Sequence, residues 1–168
     1  SSEYAANCNG PDEADRCEPN SHYAVSTVAA AEYLNFIGKS AGFLVVNLRL
    51  YSVYGPLEDS SRLIPNLARK ALDGTLPPFV DPNTSRDFLF IDDVCAAFIM
   101  AATKMQPELY GESFNIGSGR KTTIADLAEI ARTVFNIAEA PRFGTMEGRA
   151  WDLAEWYANP AKAKALLG

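Results

Sequence analysis

The sequence predicts an α/β fold built on part of a doubly wound parallel sheet, and three observations carry that reading. The run Phe43-Leu44-Val45-Val46-Asn47-Leu48-Arg49-Leu50-Tyr51 is almost continuously apolar, the pattern of a strand covered on both faces in a parallel sheet. Before it lies an Ala-rich stretch from His22 with Val28, Ala29, Tyr33, Leu34 and Ile37 at helical spacing. Behind it, short strand candidates at 88–90 and 114–116 are followed by helical stretches at 93–104 and 123–135. A strand as apolar as 43–51 needs a neighbour on each edge and a layer on each face, yet the other strand candidates are short and few. Either another chain completes the sheet or the sequence is the second half of a larger protein, and the second is the expectation favoured.

In order along the chain, Ser1-Ser2-Glu3-Tyr4 leads into a polar loop over 7–21. Pro19, Asn20 and Ser21 are helix-start chemistry: Asn and Ser side chains accept from the unpaired N–H groups of a first turn. The helix they open is expected to end at Gly38 and Gly42. After the strand at 43–51, Ser52-Val53-Tyr54-Gly55-Pro56 turns the chain out of the sheet. A helix over 63–72 closes at Asp73-Gly74, an extended stretch covers 76–80, and Asp81-Pro82-Asn83 is a turn. Asp92 and Asp93 suit the positive end of helix 93–104. Thr123-x-x-Asp126 predicts a capping box, and Asn159 with Pro160 opens the last helix.

A net charge of −6, with 15 basic residues that nowhere cluster, argues against a nucleic-acid partner. It leaves room for a phosphate ligand, which needs only one or two well-placed arginines. No apolar run reaches the length of a membrane span, and a cytoplasmic protein is expected. Cys8, Cys17 and Cys95 lack metal-ligand spacing and no metal site is expected; they read as reduced thiols or, in an oxidising compartment, a Cys8–Cys17 bridge.

Tyr23 sits in the first turn of its helix, and Thr27 shares its face one turn on. His22, the only histidine, points roughly 100° away from Tyr23. Around this pair five segments occur in order: Ser1-Ser2-Glu3; Ser21-His22-Tyr23-Ala24-Val25-Ser26; Asn47-Leu48-Arg49-Leu50-Tyr51-Ser52-Val53-Tyr54-Gly55-Pro56; Ser85-Arg86-Asp87-Phe88-Leu89-Phe90-Ile91-Asp92-Asp93-Val94; and Phe114-Asn115-Ile116-Gly117-Ser118-Gly119. Together they resemble the C-terminal half of the extended short-chain dehydrogenase/reductase family, the NAD-dependent nucleotide-sugar epimerases and dehydratases with their decarboxylase and reductase relatives. The Gly-rich turn that takes the dinucleotide pyrophosphate in that family has no counterpart here, since Gly117-Ser118-Gly119 lacks a third glycine.

The resemblance implies the end of a Rossmann-like sheet over 1–55 and a small α/β nucleotide-sugar domain over 56–168, with elements around 84–104 returning to the first part. It implies Tyr23 as acid/base and Ser1, or Ser2, as the hydroxyl that bonds the sugar oxygen. Ser2 and Glu3 fall where some dehydratases keep further acid/base groups. Thr27 stands where the family keeps a lysine that lowers the tyrosine's pKa and holds the nicotinamide ribose. Leu50 and Tyr51 would border the nicotinamide, and Ser52 replaces a more usual asparagine near the sugar. Arg86 would bind the diphosphate, the alternative being a surface ion pair with Asp87. Arg149 would take the phosphates' other side, with Asp152 orienting it or a ribose hydroxyl. Arg62 and Leu63 would touch ribose and phosphate, Pro78 and Phe79 the base. The implied cofactor is NAD or NADP in the complete protein, none being bound tightly by this chain alone, and the implied substrate a nucleoside-diphosphate sugar. A homodimer through the Tyr23 helix is implied as well, with Ala24, Ala29, Ala30 and Ala31 as its small contact face.

Overall fold

A computed structural model describes residues 2–146 and 153–168. Helix α1 (His22–Ala41) starts where the sequence places it: the Ser21 side chain accepts from Ala24 N at 3.1 Å. It ends at Gly42, left-handed at φ 62°, but runs straight through Gly38. The reason is packing. A Cβ at Gly38 would lie 2.3 Å from Gly111 N and 2.5 Å from Gly111 Cα, so glycine marks a close approach here, not a stop. Asn35 ties the same crossing by donating to Gly111 O at 3.1 Å. Ala24, Ala31 and Gly38 are buried together, a stripe of small residues facing the body of the protein. Ala24 and Ala31 therefore point inward while Ala29 and Ala30 are exposed, and the four do not form one contact face. Gly38→Ala is expected to cost about 2 kcal/mol despite alanine's better helix propensity, because overpacking against backbone outweighs it; urea unfolding showing a gain in stability would refute this.

The run 43–51 does not form one strand. β1 (Asn47–Leu50) pairs in parallel with β5 (Ser113–Ile116), in the register Asn47↔Ser113 to Leu50↔Ile116. β2 (Ser52–Tyr54) pairs in parallel with β4 (Phe88–Phe90). Residues 43–46 lie outside the ladder, and Phe43 and Leu44 are 59% and 60% exposed. Apolar sequence alone does not make a strand. The ladder begins where a partner begins, and among the described residues no strand borders the other edge of β1. A third pair, β3 (Ser85–Arg86) with β6 (Thr122–Thr123), is antiparallel.

Helix α2 (Leu63–Leu72) and helix α4 (Ile124–Phe135) pack around one core of Leu67, Ala71, Phe79, Ile124, Ala128 and Ala131. The expected capping box opens α4: Thr123 Oγ1 accepts from Asp126 N at 3.0 Å, and Asp126 Oδ2 accepts from Thr123 N at 3.0 Å. Helix α3 (Ile91–Thr103) and helix α5 (Ala161–Leu166) flank the strands over a second core that includes Leu89, Val94, Phe114, Ile116 and Leu167. Pro160 is the N-cap of α5, while Asn159 Oδ1 accepts from Ala161 N. Residues 76–80 carry no ladder, and the loop after Tyr4 opens with a 3-10 turn at Ala5–Asn7. Cys17 and Cys95 are free thiols. Among the described residues no helix is long and apolar enough to cross a membrane.

Candidate functional site

β1 and β5 end side by side at Leu50 and Ile116, and in parallel sheets ligands bind outside such carboxyl ends. There the chain changes neighbour within two residues. Tyr51 N donates to Ile116 O at 3.1 Å, then Ser52 N donates to Asp87 O at 2.9 Å. That switch ties Ser52 to Asp87, the residue next to Arg86. Tyr51 is buried, and among the described residues its hydroxyl has no hydrogen-bond partner. Burial foremost, with the nearby Cys8, Tyr4 and Asp87, pushes its phenol far above the ordinary value.

Asp87 is fully buried and spends its whole carboxylate on fixing the chain. Its Oδ1 accepts from Ser118 N at 2.9 Å and Ser118 Oγ at 2.5 Å, its Oδ2 from Gly119 N at 3.0 Å and Ala158 N at 3.1 Å. A Cβ at Gly117 would lie 2.7 Å from Asp87 Oδ2, so only glycine lets the turn close on the carboxylate. Gly117-Ser118-Gly119 is thus a turn wrapped on an acid. The surface ion pair between Arg86 and Asp87 is not formed; Asp87 faces inward. Ser85 fastens the incoming C-terminal segment: its N donates to Leu153 O at 3.0 Å, its Oγ donates to Ala154 O at 2.7 Å and accepts from Trp156 N at 3.0 Å. Between these two anchors, Arg86 is half-buried, its guanidinium 4.9 Å from the Trp156 ring centroid and its Nη1 donating to Ser85 O at 2.8 Å.

Tyr23 stands on the first turn of α1, 69% exposed, and among the described residues it makes no hydrogen bond to Leu50, Tyr51, Ser52 or Arg86. Thr27 does share its helix, but its Oγ1 donates to Ala24 O at 2.9 Å, so its only proton is spent on the backbone. His22 is exposed beside it. Ser2 is half-buried in a turn.

Glu3 departs from its expected role as an acid/base group. It is 6% exposed and its Oε2 lies 2.5 Å from Arg49 Nε, a contact of charges outside hydrogen-bond geometry. Arg49 Nη1 donates to Tyr4 OH at 2.7 Å, and that hydroxyl lies 3.0 Å from both Asn115 Oδ1 and Asp12 O. Burial drives the Tyr4 phenol up to about 12 against the opposing pull of Arg49. For Arg49, burial alone would lower the pKa, but Tyr4 and Glu3 outweigh it and the group stays above its ordinary value. Glu3 is a structural counter-ion, fixed there because Arg49 on β1 faces inward and requires one.

Arg62 is the N-cap residue of α2, and its exposed guanidinium lies 2.7 Å from Glu58 Oε1. Leu63 packs against the α2–α4 core. Pro78 is exposed, but Phe79 is 1% exposed, stacked on Phe143 at 5.7 Å, with its N donating to Arg142 O and its O accepting from Thr145 N and Met146 N. Phe79 is core, not a base-docking surface: its place after Pro77-Pro78 faces it into the α2–α4 contact. Ser1, Arg149 and Asp152, expected at the sugar oxygen and the phosphates, lie outside the described residues. Sequence reasoning missed Asp87 as an inward anchor and Trp156 as the surface under Arg86; the one available signal was an aromatic four residues after Asp152.

The family model for the NAD dependent epimerase/dehydratase family matches residues 1–117. The dTDP-L-rhamnose 4-epimerase of Burkholderia thailandensis is 34% identical over 163 residues, covering 89% of this chain and 44% of its own. Among solved structures, the UDP-N-acetylglucosamine 4-epimerase from Methanobrevibacter ruminantium M1 in complex with UDP-N-acetylmuramic acid superposes with a TM-score of 0.86 at 27% identity, over 99% of this chain and 54% of that one. MoeE5 in complex with UDP-glucose and NAD gives 0.84 at 25%, over 100% and 56%. The chain therefore spans about half the length of the relatives it matches. A match over residues 1–117, a relative above 30% identity and a shared fold place it in one group: this chain belongs to the NAD dependent epimerase/dehydratase family.

Proposed function

We propose that the complete protein is an NAD(P)-dependent nucleotide-sugar epimerase or dehydratase, for which this chain supplies the nucleotide-sugar grip and the acid/base Tyr23. The observation that carries the reading is the framed Arg86: a guanidinium over the Trp156 ring and tied to Ser85 O, on the residue next to Asp87, whose O accepts from Ser52 N just past the end of β1. A planar fork of N–H donors in that place suits a diphosphate. Arg62, Leu63, Pro78, Arg149 and Asp152 complete the substrate contacts in this reading, and Ser52 takes the sugar side. Ser1 or Ser2 bonds the sugar oxygen while Tyr23 takes the hydroxyl proton and later returns it. NAD, when bound, supplies the acceptor for the sugar's hydride.

The residues fit that cofactor in part. Leu50 and Tyr51, at the end of β1, offer an apolar wall for the nicotinamide. Thr27 offers neither charge nor a free proton, because its hydroxyl is committed to Ala24 O. That observation favours a second reading, a homologue that holds nucleotide sugar but oxidises it slowly or not at all. In both readings a homodimer forms through the outer face of α1, where Val25, Tyr33 and Phe36 are exposed.

The test is calorimetry of the complete protein with UDP-glucose and dTDP-glucose, alongside nicotinamide fluorescence during turnover. Arg86→Met is expected to weaken binding of the preferred nucleotide sugar by about 30- to 100-fold, the value of a charged phosphate contact. Unchanged affinity would end the diphosphate assignment. Tight binding without cofactor reduction would select the second reading.

A further inference from the structure

Trp156 is half-buried, yet among the described residues its indole Nε1 has no hydrogen-bond partner. Its backbone is held instead. Trp156 N donates to Ser85 Oγ at 3.0 Å, and two residues on Ala158 N donates to Asp87 Oδ2 at 3.1 Å. Ser85 and Asp87 are the two neighbours of Arg86, so the residues that position the arginine also position the tryptophan. The outcome is a guanidinium 4.9 Å from the ring centroid, within cation–π range, with Nη1 directed to Ser85 O. The ring constrains the plane of the fork, and the carbonyl constrains its rotation in that plane. An exposed arginine loses many rotamers when it takes a ligand; one already ordered loses fewer and binds more tightly.

We infer that Trp156 is a positioning residue for nucleoside-diphosphate recognition, its indole face holding the Arg86 fork in the orientation that receives the diphosphate. The inference rests on the assignment of Arg86 to the diphosphate and adds the residue that orients it. The indole N–H takes no part, so any aromatic ring at this position should serve.

The experiment measures the Kd of UDP by calorimetry on the complete protein carrying Trp156→Phe, Trp156→Leu, Arg86→Met and the double variant Arg86→Met/Trp156→Leu, with thermal unfolding as a fold control. Trp156→Leu should weaken UDP by about 5- to 20-fold, as loss of a partly desolvated cation–π contact does, and Trp156→Phe should stay within about threefold. In the Arg86→Met background the leucine change should add less than about twofold, because the residue acts through the arginine. Trp156→Met replaces the leucine variant if the latter does not fold. If Arg86→Met weakens UDP while Trp156→Leu does not, or the two penalties add in full, or Trp156→Phe is as damaging as Trp156→Leu, the positioning role is wrong and the diphosphate assignment stands. If Arg86→Met leaves UDP binding unchanged, both fall.

Discussion

Thr27→Lys in the complete protein raises turnover on its nucleotide sugar by about 10²- to 10³-fold. A phenol in water releases its proton near pH 10, and a base that works near neutrality needs that lowered by about three units, on the order of 4 kcal/mol. A cation one helical turn away, on the same face, can supply a large part of it. Thr27 cannot: it is uncharged and its hydroxyl proton goes to Ala24 O at 2.9 Å. The lysine would sit on a half-buried position of α1 whose face already carries Tyr23, so the exchange adds charge without disturbing a packed core. Steady-state rates with UDP-glucose or dTDP-glucose and NAD, for both forms, check it. No gain in rate would mean that Tyr23 is not the proton acceptor, or that another group already supplies the field.

Glu3→Ala removes about 3–5 kcal/mol of stability, the cost of leaving a buried charge without its partner. The residue left behind is Arg49, 6% exposed, with Tyr4 OH as its side-chain hydrogen-bond acceptor among the described residues and no counter-charge in contact there. Glu3→Gln should cost less than Glu3→Ala, since an amide oxygen still faces the guanidinium. The double change Glu3→Ala/Arg49→Met should recover much of the loss, because a buried ion pair replaced by apolar groups of similar size is often neutral. Urea unfolding of the complete protein reads all three. If Glu3→Ala keeps full stability but abolishes turnover, Glu3 belongs to the chemistry after all.

These two expectations divide the site between what is written locally and what is not. The place of Tyr23 and Thr27 on the first turns of α1 was legible because a helix start has its own chemistry: Ser21 caps the first turn, and i to i+4 spacing then fixes which residues share a face. The capping box at Thr123 and Asp126 was legible for the same reason. Glu3 was not, since a carboxylate beside two serines carries no mark of which way it faces. That was decided by Arg49, 46 positions away on β1. Phe79 shows the same limit, as an aromatic after two prolines can cover a nucleobase or enter a core, and the α2–α4 contact drew it inward.

By itself the sequence determined the helices, the caps at Ser21 and Thr123, the parallel α/β class and the family, because each depends on neighbours along the chain or on short motifs in order. The tertiary structure alone decided where β1 begins, that Gly38 is a contact instead of a stop, that Asp87 faces inward, and that Arg86 lies on Trp156. Each of those is set by a partner distant in sequence, Gly111 for Gly38 and the 118–119 turn for Asp87, and no local pattern specifies a partner the chain meets only when it folds.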